Sequence, residues 1–209
     1  MKAILLVAGG VLVFTVAILL GFFFSGQSGG TPDQAYFTTP DNRTPEREAE
    51  LRNCKGVSNP QTPVCATIRE INSAKKVVYI AMYESLDNNH LLGQDARKQI
   101  LDAIGAKSKT VNIYMREDDR FQTPSHKLTV CYGNSGSDSG IMHDKFLVID
   151  HQVVITGSLN WNASSIQDND ENIVIIRDKG VAKKYEQRFQ GMWESKHAQK
   201  PKDCPSWGG

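Results

Sequence analysis

Three features of the sequence predict an α/β domain that follows an apolar N-terminal segment. Short segments rich in β-branched and aromatic residues, such as VVYIAMY at 77–83, alternate with segments of helical periodicity. Two more apolar segments, within IMHDKFLVIDHQVVITGSLNWN at 141–162, read as a hairpin. A run without any charge occupies residues 3–24. Alternating strands and helices are typical of an α/β domain.

The first predicted helix has a clear N-terminal signal. AYFTTP at 35–40 is a candidate first strand, and the polar stretch after it is a loop or a short exposed helix. Thr62 followed by Pro63 is a favourable N-cap and first-turn pair, which predicts a helix through Ala74.

A strand, a helix and another strand are predicted next. The strand at 77–83 is followed by a helix over 91–104, which we expect Gly105 to end because glycine is the commonest residue just past a helix. TVNIYM at 110–115 is the next strand, and the polar stretch at 116–140 indicates little structure.

The hairpin at 141–162 opens the last part of the domain. NIVIIR at 172–177 reads as a further strand. A final helix begins near Gly180, with Asp178 as its N-cap and an apolar stripe on one face.

The apolar N-terminal segment is long enough to span a bilayer. A spanning helix needs about 20 apolar residues, whereas the apolar region of a signal peptide has about 7–15. We therefore predict a transmembrane signal-anchor at 1–25, with a cleaved signal peptide as the alternative, and a flexible linker at 26–34. Lys2 favours a cytoplasmic N-terminus, which would place the domain on the non-cytoplasmic, periplasmic side of the membrane. Cleavage would instead give a secreted or periplasmic protein.

The charge of the chain excludes one broad class of function. It contains 24 Lys and Arg against 23 Asp and Glu, a formal net charge of +1. A near-neutral chain is not a general polyanion-coating protein, although a local phosphate site remains compatible with it.

The four cysteines are Cys54, Cys65, Cys131 and Cys204. An even number on an exported domain predicts two disulfides, with three possible connectivities. The first two cysteines flank a Pro- and Gly-containing loop that a bridge would close. A zinc site is the less favoured alternative, because the spacing is not C-x-x-C and no histidine lies nearby.

The two hairpin strands carry polar residues at one end. Side chains two positions apart point to the same face of a strand. His143 and Lys145 therefore share a face of the first strand, and Ser158 and Asn160 lie two positions apart at the end of the second. All four groups would then be gathered at one end of the hairpin. Burying such groups without partners is costly, and together they are suited to bind an anion. The full pattern is H-x-K-x(4)-D, then G-S-x-N, then an acid before the next strand. Its residues are His143, Lys145, Asp150, Gly157, Ser158, Asn160 and Glu171.

With these motifs the sequence resembles the phospholipase D superfamily. Beyond the pattern itself, MHDKFLVID, VITGSLNW and NDENIVII match the family almost position for position, and VAKKYEQRFQGMW resembles its closing helix. The resemblance covers roughly residues 35–195. It implies a phospholipase D-like catalytic domain at 35–196, built on a mixed β-sheet flanked by helices, and a C-terminal tail at 197–209.

The resemblance also implies a role for each motif residue. His143 is the expected nucleophile toward phosphorus, and a second histidine would protonate the leaving oxygen. Lys145 and Asn160 are expected to stabilise charge on the phosphoryl oxygens. Ser158 is expected to hold that geometry, and Glu171 to orient the ring of His143.

Asp150 ranks below the other motif residues as a catalytic candidate. It sits where the hairpin strand turns, so a carboxylate that stabilises the turn is the competing interpretation. We expect no cofactor and no metal, because Lys and His can neutralise the charge that a divalent ion would otherwise neutralise.

The chain has one copy of the motif, whereas the implied mechanism uses two histidines. The remaining histidines are His90, His126, His151 and His197, and none is in a second H-x-K. Single-motif members of the superfamily are small and form two-fold dimers. We therefore predict a homodimer in which the two copies of His143 face each other at the two-fold interface.

Three functions are compatible with these features. The favoured one is an endonuclease acting on DNA or RNA, similar to the small bacterial enzymes of the superfamily, and cations that could serve it cluster in sequence. These are Lys107, Lys109, Arg116, Arg120, His126 and Lys127. The alternative is hydrolysis of a phospholipid such as cardiolipin, for which Trp161 is a candidate apolar residue at the site mouth. A membrane-tethered module that only binds an anionic partner is the least favoured.

Overall fold

Seven strands form one sheet in the computed structural model, which describes residues 31–38, 44–83, 91–117, 128–132 and 141–195. The strands are β1 (Gln34–Thr38), β2 (Val77–Met82), β3 (Asn112–Glu117), β4 (Leu128–Tyr132), β5 (Lys145–Ile149), β6 (Val153–Gly157) and β7 (Glu171–Ile176). The helices are α1 (Pro45–Arg52), α2 (Pro63–Ser73), α3 (Leu91–Lys107), α4 (Ala163–Gln167) and α5 (Lys179–Glu194). All of them belong to one unit, Asp33–Gly209.

The sheet is mixed, as predicted. Its strand order is β1-β7-β6-β5-β2-β3-β4. β2, β3 and β4 are parallel neighbours, and the remaining pairs are antiparallel. β5 and β6 form the predicted hairpin at the centre of the sheet.

Helices cover both faces of the sheet. Side chains of α2 and α3, such as Ile71 and Ile104, pack with Ile80 and Leu147 on one face. On the other face, Phe189 of α5 packs in a separate cluster of buried side chains. β2 is buried over its whole length because helices lie against both of its sides.

The helix start signals are confirmed. The Thr62 side chain accepts a hydrogen bond from the Cys65 N–H, and the Asp178 side chain accepts one from the Val181 N–H. The predicted end of the third helix at Gly105 is wrong, because α3 continues to Lys107. Among the described glycines only Gly56 has a positive φ, so Gly105 does not adopt the left-handed conformation that ends helices.

The Cys54–Cys65 bridge is present, so the zinc alternative for this pair is wrong. Cys131, in β4, is also disulfide-bonded. Cys204 lies outside the described residues. The bridge joins the loop after α1 to the first turn of α2.

The membrane prediction has to be corrected. Within the ranges that the structure describes, no helix is long and apolar enough to cross a membrane. The expected single-pass localisation, with the domain on the periplasmic side, is therefore not supported, nor is a transmembrane helix as part of the fold. Residues 1–25 and most of the linker at 26–34, on which the prediction depended, lie outside the described residues. The domain boundaries inferred from the sequence stay a prediction.

Candidate active site

The β5–β6 hairpin brings the two halves of the motif together where β5 begins and β6 ends, at one end of the central strands. Its antiparallel register pairs Phe146 with Thr156, so Lys145 at the start of β5 lies across from Gly157 at the end of β6. The Thr156 hydroxyl donates a hydrogen bond to the Lys145 carbonyl over 3.2 Å. The register therefore places H-x-K beside G-S-x-N, as the alternation of side chains along the sequence suggested.

His143 and Lys145 are neighbours in space as well as in sequence. The Lys145 Nζ atom lies 3.4 Å from His143 Nε2. The same ammonium donates a hydrogen bond to the His143 carbonyl over 3.1 Å. Because His143 is exposed and Lys145 half-buried, an ionisable ring and a cation meet at the surface, where an anion can reach both.

Tyr83 is a site residue that the sequence analysis missed. Its ring centroid lies 4.4 Å from that of His143, and Lys145 Nζ lies 4.9 Å from the same ring. Met82 at the end of β2 pairs with Lys145, so the next residue necessarily falls beside the motif. The sequence signal for Tyr83 was its place directly after β2, the strand that pairs with the H-x-K strand β5.

Ser158 joins β6 to β7. Its N–H donates to the Asn172 carbonyl over 3.1 Å, and its Oγ accepts from the Asn172 N–H over 3.1 Å. Gly157 permits this close approach, because a Cβ at that position would collide with the Asn172 carbonyl oxygen. The holding role of Ser158 stays a prediction.

Asn160, three residues after the end of β6, carries a buried acceptor. Its Oδ1 atom is buried and has no hydrogen-bond partner among the residues that the structure describes. Buried polar atoms are normally paired, and exceptions are typical of sites that a ligand or another chain completes. Trp161 is only 1% exposed, which corrects its candidacy as an apolar residue at the site mouth.

Glu171 begins β7 at the same end of the strands, but its carboxylate is not bonded to His143. Its Oε1 atom accepts a hydrogen bond from the Asn169 side-chain amide over 3.2 Å. The Thr38 hydroxyl accepts from the Glu171 N–H over 2.9 Å, which fixes the strand start against β1. The orienting role predicted for Glu171 has no contact to support it within the described part of one chain.

Asp150 lies at the opposite end of β5 from Lys145. Its carboxylate accepts hydrogen bonds from three consecutive backbone N–H groups, those of Lys75 (2.8 Å), Lys76 (2.7 Å) and Val77 (3.1 Å). Asp150 itself has φ of 53°, in the left-handed region. This acid stabilises the turn after β5 and the start of β2, so the structure does not bring it to the candidate site.

Of the six cations that cluster in sequence, Lys107, Lys109 and Arg116 lie within the described residues. Lys107 donates to the carbonyls of Asn72 and Ala74, near the end of β2 at which Asp150 binds. Arg116 is completely buried within the sheet region. Lys109 is exposed in the turn before β3. The other three residues of that set, Arg120, His126 and Lys127, lie outside the described residues.

Two comparisons of sequence identify relatives of this chain. Residues 67–193 match the family model described as "Cardiolipin synthase, PLD-like domain". A mitochondrial cardiolipin hydrolase of Xenopus tropicalis is 50% identical over 56 residues, which are 27% of each protein. The chain thus spans about a quarter of the length of the first curated relatives it matches. A phospholipase D of Rickettsia conorii is 26% identical over 195 residues, covering 84% of this chain and 91% of that protein.

A solved structure supports the same fold. Nuc of Salmonella typhimurium, a phospholipase D family member, superposes with a TM-score of 0.54 at 19% identity, covering 81% of this chain and 97% of that one. NucT of Helicobacter pylori gives a TM-score of 0.54 at 20% identity. Since the family model covers more than half of the residues, the chain belongs to the phospholipase D-like family.

Proposed function

We propose that this chain is a metal-independent phosphodiesterase in which His143 forms a phosphohistidine intermediate. The observation that carries the proposal is the 3.4 Å separation of His143 Nε2 and Lys145 Nζ at an exposed edge of the sheet. A nucleophile and a cation at this distance can both reach one phosphate, the first at phosphorus and the second at a non-bridging oxygen.

The reaction divides into two displacements. In the first, Nε2 of His143 attacks phosphorus, the P–O bond to the leaving group breaks, and an acid protonates the leaving oxygen. In the second, water attacks phosphorus, the P–N bond breaks, and the same acid, now a base, takes the proton of the water. Lys145 offsets the charge on the phosphoryl oxygens in both steps, and the amide of Asn160 hydrogen-bonds them.

A second copy of His143 is the proposed acid. Of the described histidines, His151 lies in the turn after β5, at the far end of the sheet, and its Nδ1 pairs with Glu186 over 2.8 Å. A two-fold homodimer would bring two copies of His143 together. Glu171 is proposed to orient the histidine ring through its Oε2 atom, since Oε1 accepts the hydrogen bond from Asn169.

Nucleic acid is the favoured substrate class. A polynucleotide presents phosphates on both sides of the cleaved one, so it can use cations next to the catalytic pair. Arg188 of α5 is such a cation, because its side chain is 57% exposed and pairs with Asp144, the residue between His143 and Lys145, over 2.8 Å. The guanidinium retains donors that this single pairing does not use.

A phospholipid headgroup is the second candidate. Ile141, two residues before His143, is 50% exposed, and Phe37 on edge strand β1 is 55% exposed. Exposed large apolar side chains near a phosphate site suit a lipid interface. The 50% identity to a protein named mitochondrial cardiolipin hydrolase, over 56 residues, also favours this candidate.

The test is a side-by-side assay of the purified full-length chain in EDTA, with a single-stranded DNA oligonucleotide and with cardiolipin vesicles. His143→Ala is the inactive variant, and His151→Ala is its matched control at the far end of the sheet. The proposal is supported if the unmodified protein and His151→Ala cleave either substrate in EDTA and His143→Ala cleaves neither. A phosphorylated protein that is labile in acid and stable in base identifies the intermediate. Loss of all activity in EDTA, or full activity of His143→Ala, would overturn it.

The dimer has its own test. Sedimentation velocity gives the mass of the species present at each concentration, and specific activity is followed over the same dilution series. A specific activity that falls as the dimer dissociates supports a site completed by two copies. A monomer with full activity would show that one chain is sufficient.

A further inference from the structure

The ring of Tyr83 contacts both of the polar groups proposed to act on phosphate. The rings of Tyr83 and His143 are tilted by 55° with centroids 4.4 Å apart, a common geometry for an aromatic pair. Lys145 Nζ lies 4.9 Å from the centre of the Tyr83 ring, within the range of a cation–π contact. The side chain of the residue directly after β2 therefore contacts His143, which precedes β5, and Lys145, which begins it.

Both partners are side chains whose rotamers a packing contact can restrict. The imidazole of His143 is exposed, and Lys145 has four rotatable side-chain bonds, so each would sample several rotamers without packing. Tyr83 comes directly after Met82, whose backbone pairs with Lys145 in the sheet, and that pairing fixes where the ring starts. The backbone pairing of β2 with β5 thus places the Tyr83 ring next to both side chains.

The charge of the site gives the ring a second effect. When an imidazole forms a bond to phosphorus or carries a proton it becomes cationic, and here an ammonium lies 3.4 Å from its Nε2 atom. Two cations at this distance repel each other. The negative face of an aromatic ring attracts cations, so a ring beside both groups offsets part of that repulsion.

We propose that Tyr83 is a positioning residue that holds His143 and Lys145 at the spacing needed for one phosphate, a role that rests on the function proposed above. Tyr83 acts through these two side chains and not on the substrate. Its hydroxyl is not required for this role, because the contacts are made by the ring. Phenylalanine should therefore replace it, and an aliphatic side chain should not.

The experiment compares steady-state constants of full-length variants on bis(4-nitrophenyl) phosphate, a small diester that is neither lipid nor nucleic acid. For Tyr83→Leu we expect kcat to fall about 10- to 100-fold, the range for a misplaced catalytic group, with KM changed much less. Tyr83→Phe should recover most of kcat. Tyr185→Leu is the matched control, because Tyr185 is also half-buried and makes a ring contact, but to Phe146 and not to His143 or Lys145. Its kcat should equal that of the unmodified protein.

A second readout does not depend on turnover. The Hε1 proton resonance of His143, assigned by its loss in His143→Ala, is shifted by the ring current of Tyr83. This resonance should move in Tyr83→Leu and stay close to its position in Tyr83→Phe. If Tyr83→Leu does not fold, as judged by circular dichroism, Tyr83→Met replaces it, since methionine fills the volume without a ring.

The outcomes separate the two proposals. An active unmodified enzyme whose Tyr83→Leu variant retains full kcat overturns the role of Tyr83 and leaves the proposed function intact. Equal losses in Tyr83→Leu and Tyr83→Phe also overturn it, because they would assign the effect to the hydroxyl. An enzyme inactive on the diester, DNA and lipid would overturn the proposed function. An unmoved His143 resonance in Tyr83→Leu would show that the ring does not hold the imidazole.

Discussion

Glu70 and Arg177 form a bidentate ion pair that joins α2 to the residue after β7. Arg177 Nη1 lies 3.0 Å from Glu70 Oε2, and Nη2 lies 2.8 Å from Oε1. The Glu70 side chain is only 6% exposed, and Arg69 also donates to its Oε1 over 3.1 Å. The hydrogen bond to Glu70 is the main reason that the pKa of Arg177 is raised.

We expect Glu70→Gln to lower the free energy of unfolding by about 3 kcal/mol, because breaking a buried pair leaves a cation without its counter-charge. Urea unfolding measures the change. Asp102→Asn is the matched control, since its i,i+4 pair with Lys98 over 2.6 Å is exposed and should contribute less than about 0.5 kcal/mol. Equal losses in the two variants would contradict the importance of burial.

Asp150→Ala should reduce stability without reducing turnover per folded molecule. Three backbone N–H groups lose a charged acceptor, for which we expect a loss of about 2–3 kcal/mol. Asp150→Asn should lose less, because asparagine tolerates the left-handed backbone and keeps one acceptor oxygen. Urea unfolding and kcat are measured on both variants. A large fall in kcat at unchanged stability would return Asp150 to the catalytic residues.

Gly157→Ala should disrupt the candidate site. A Cβ would collide with the Asn172 carbonyl oxygen, so β6 and β7 would have to separate where Ser158 joins them. We expect a loss of about 2 kcal/mol or more in stability, and reduced kcat in the molecules that remain folded. Gly191→Ala in α5 has open space around its Cβ and should gain about 0.5–1 kcal/mol. Thermal melts and steady-state kinetics distinguish the two variants, and equal behaviour would contradict the steric argument.

Tyr79 should make stability fall at high pH. Burial, and secondarily the charges of Glu186 and Tyr114, raises the pKa of Tyr79 to about 12 from the model-compound value of 10.0. The unfolded chain loses the Tyr79 proton at lower pH than the folded protein does. The contribution of Tyr79 to the free energy of unfolding is therefore fully present below pH ~10 and is lost as the pH rises toward ~12. Its maximum is about 2–3 kcal/mol.

The measurement for Tyr79 is urea unfolding of the unmodified protein and of Tyr79→Phe at pH 9 and pH 11.5. The phenylalanine variant lacks the titrating group, so the difference between the two proteins should change between these pH values. Glu186→Gln should lower the pKa of Tyr79, which absorbance of tyrosinate at 295 nm detects. A difference that is constant with pH would contradict the raised pKa.

The sequence predicted those parts of the fold whose signals are local. Thr62 and Asp178 cap helices with their own side chains, and the apolar hairpin strands alternate faces, so each could be read without knowledge of distant residues. β4 was not predicted, because its five residues lie in a polar stretch and form a strand by parallel pairing with β3. The end of α3 was misplaced because a glycine is a stop signal only where its φ is positive.

The candidate site was predicted in part for a related reason. His143, Lys145, Ser158 and Asn160 lie at the same end of the β5–β6 hairpin because one register places all four. Tyr83 reaches the site through the pairing of β2 with β5, which lie more than sixty positions apart in the sequence, and Asp150 binds backbone groups 73–75 residues away. Contacts between residues so far apart in the sequence leave no periodic pattern from which they could be predicted. Of the described cations in the basic cluster, Lys107 bonds the carbonyls of Asn72 and Ala74 and Arg116 is buried, and neither environment could be read from their closeness in sequence.

The position of Asp150 gives the spacing H-x-K-x(4)-D a physical meaning. β5 has five residues, with Lys145 at one end and Asp150 immediately after the other. The interval therefore corresponds to the length of β5, from the strand end at which the proposed phosphate site lies to the end at which β2 begins. A single inserted or deleted residue would turn one of these side chains to the wrong face, because successive side chains alternate. The fixed interval is a constraint on strand length, independent of the chemistry at either end.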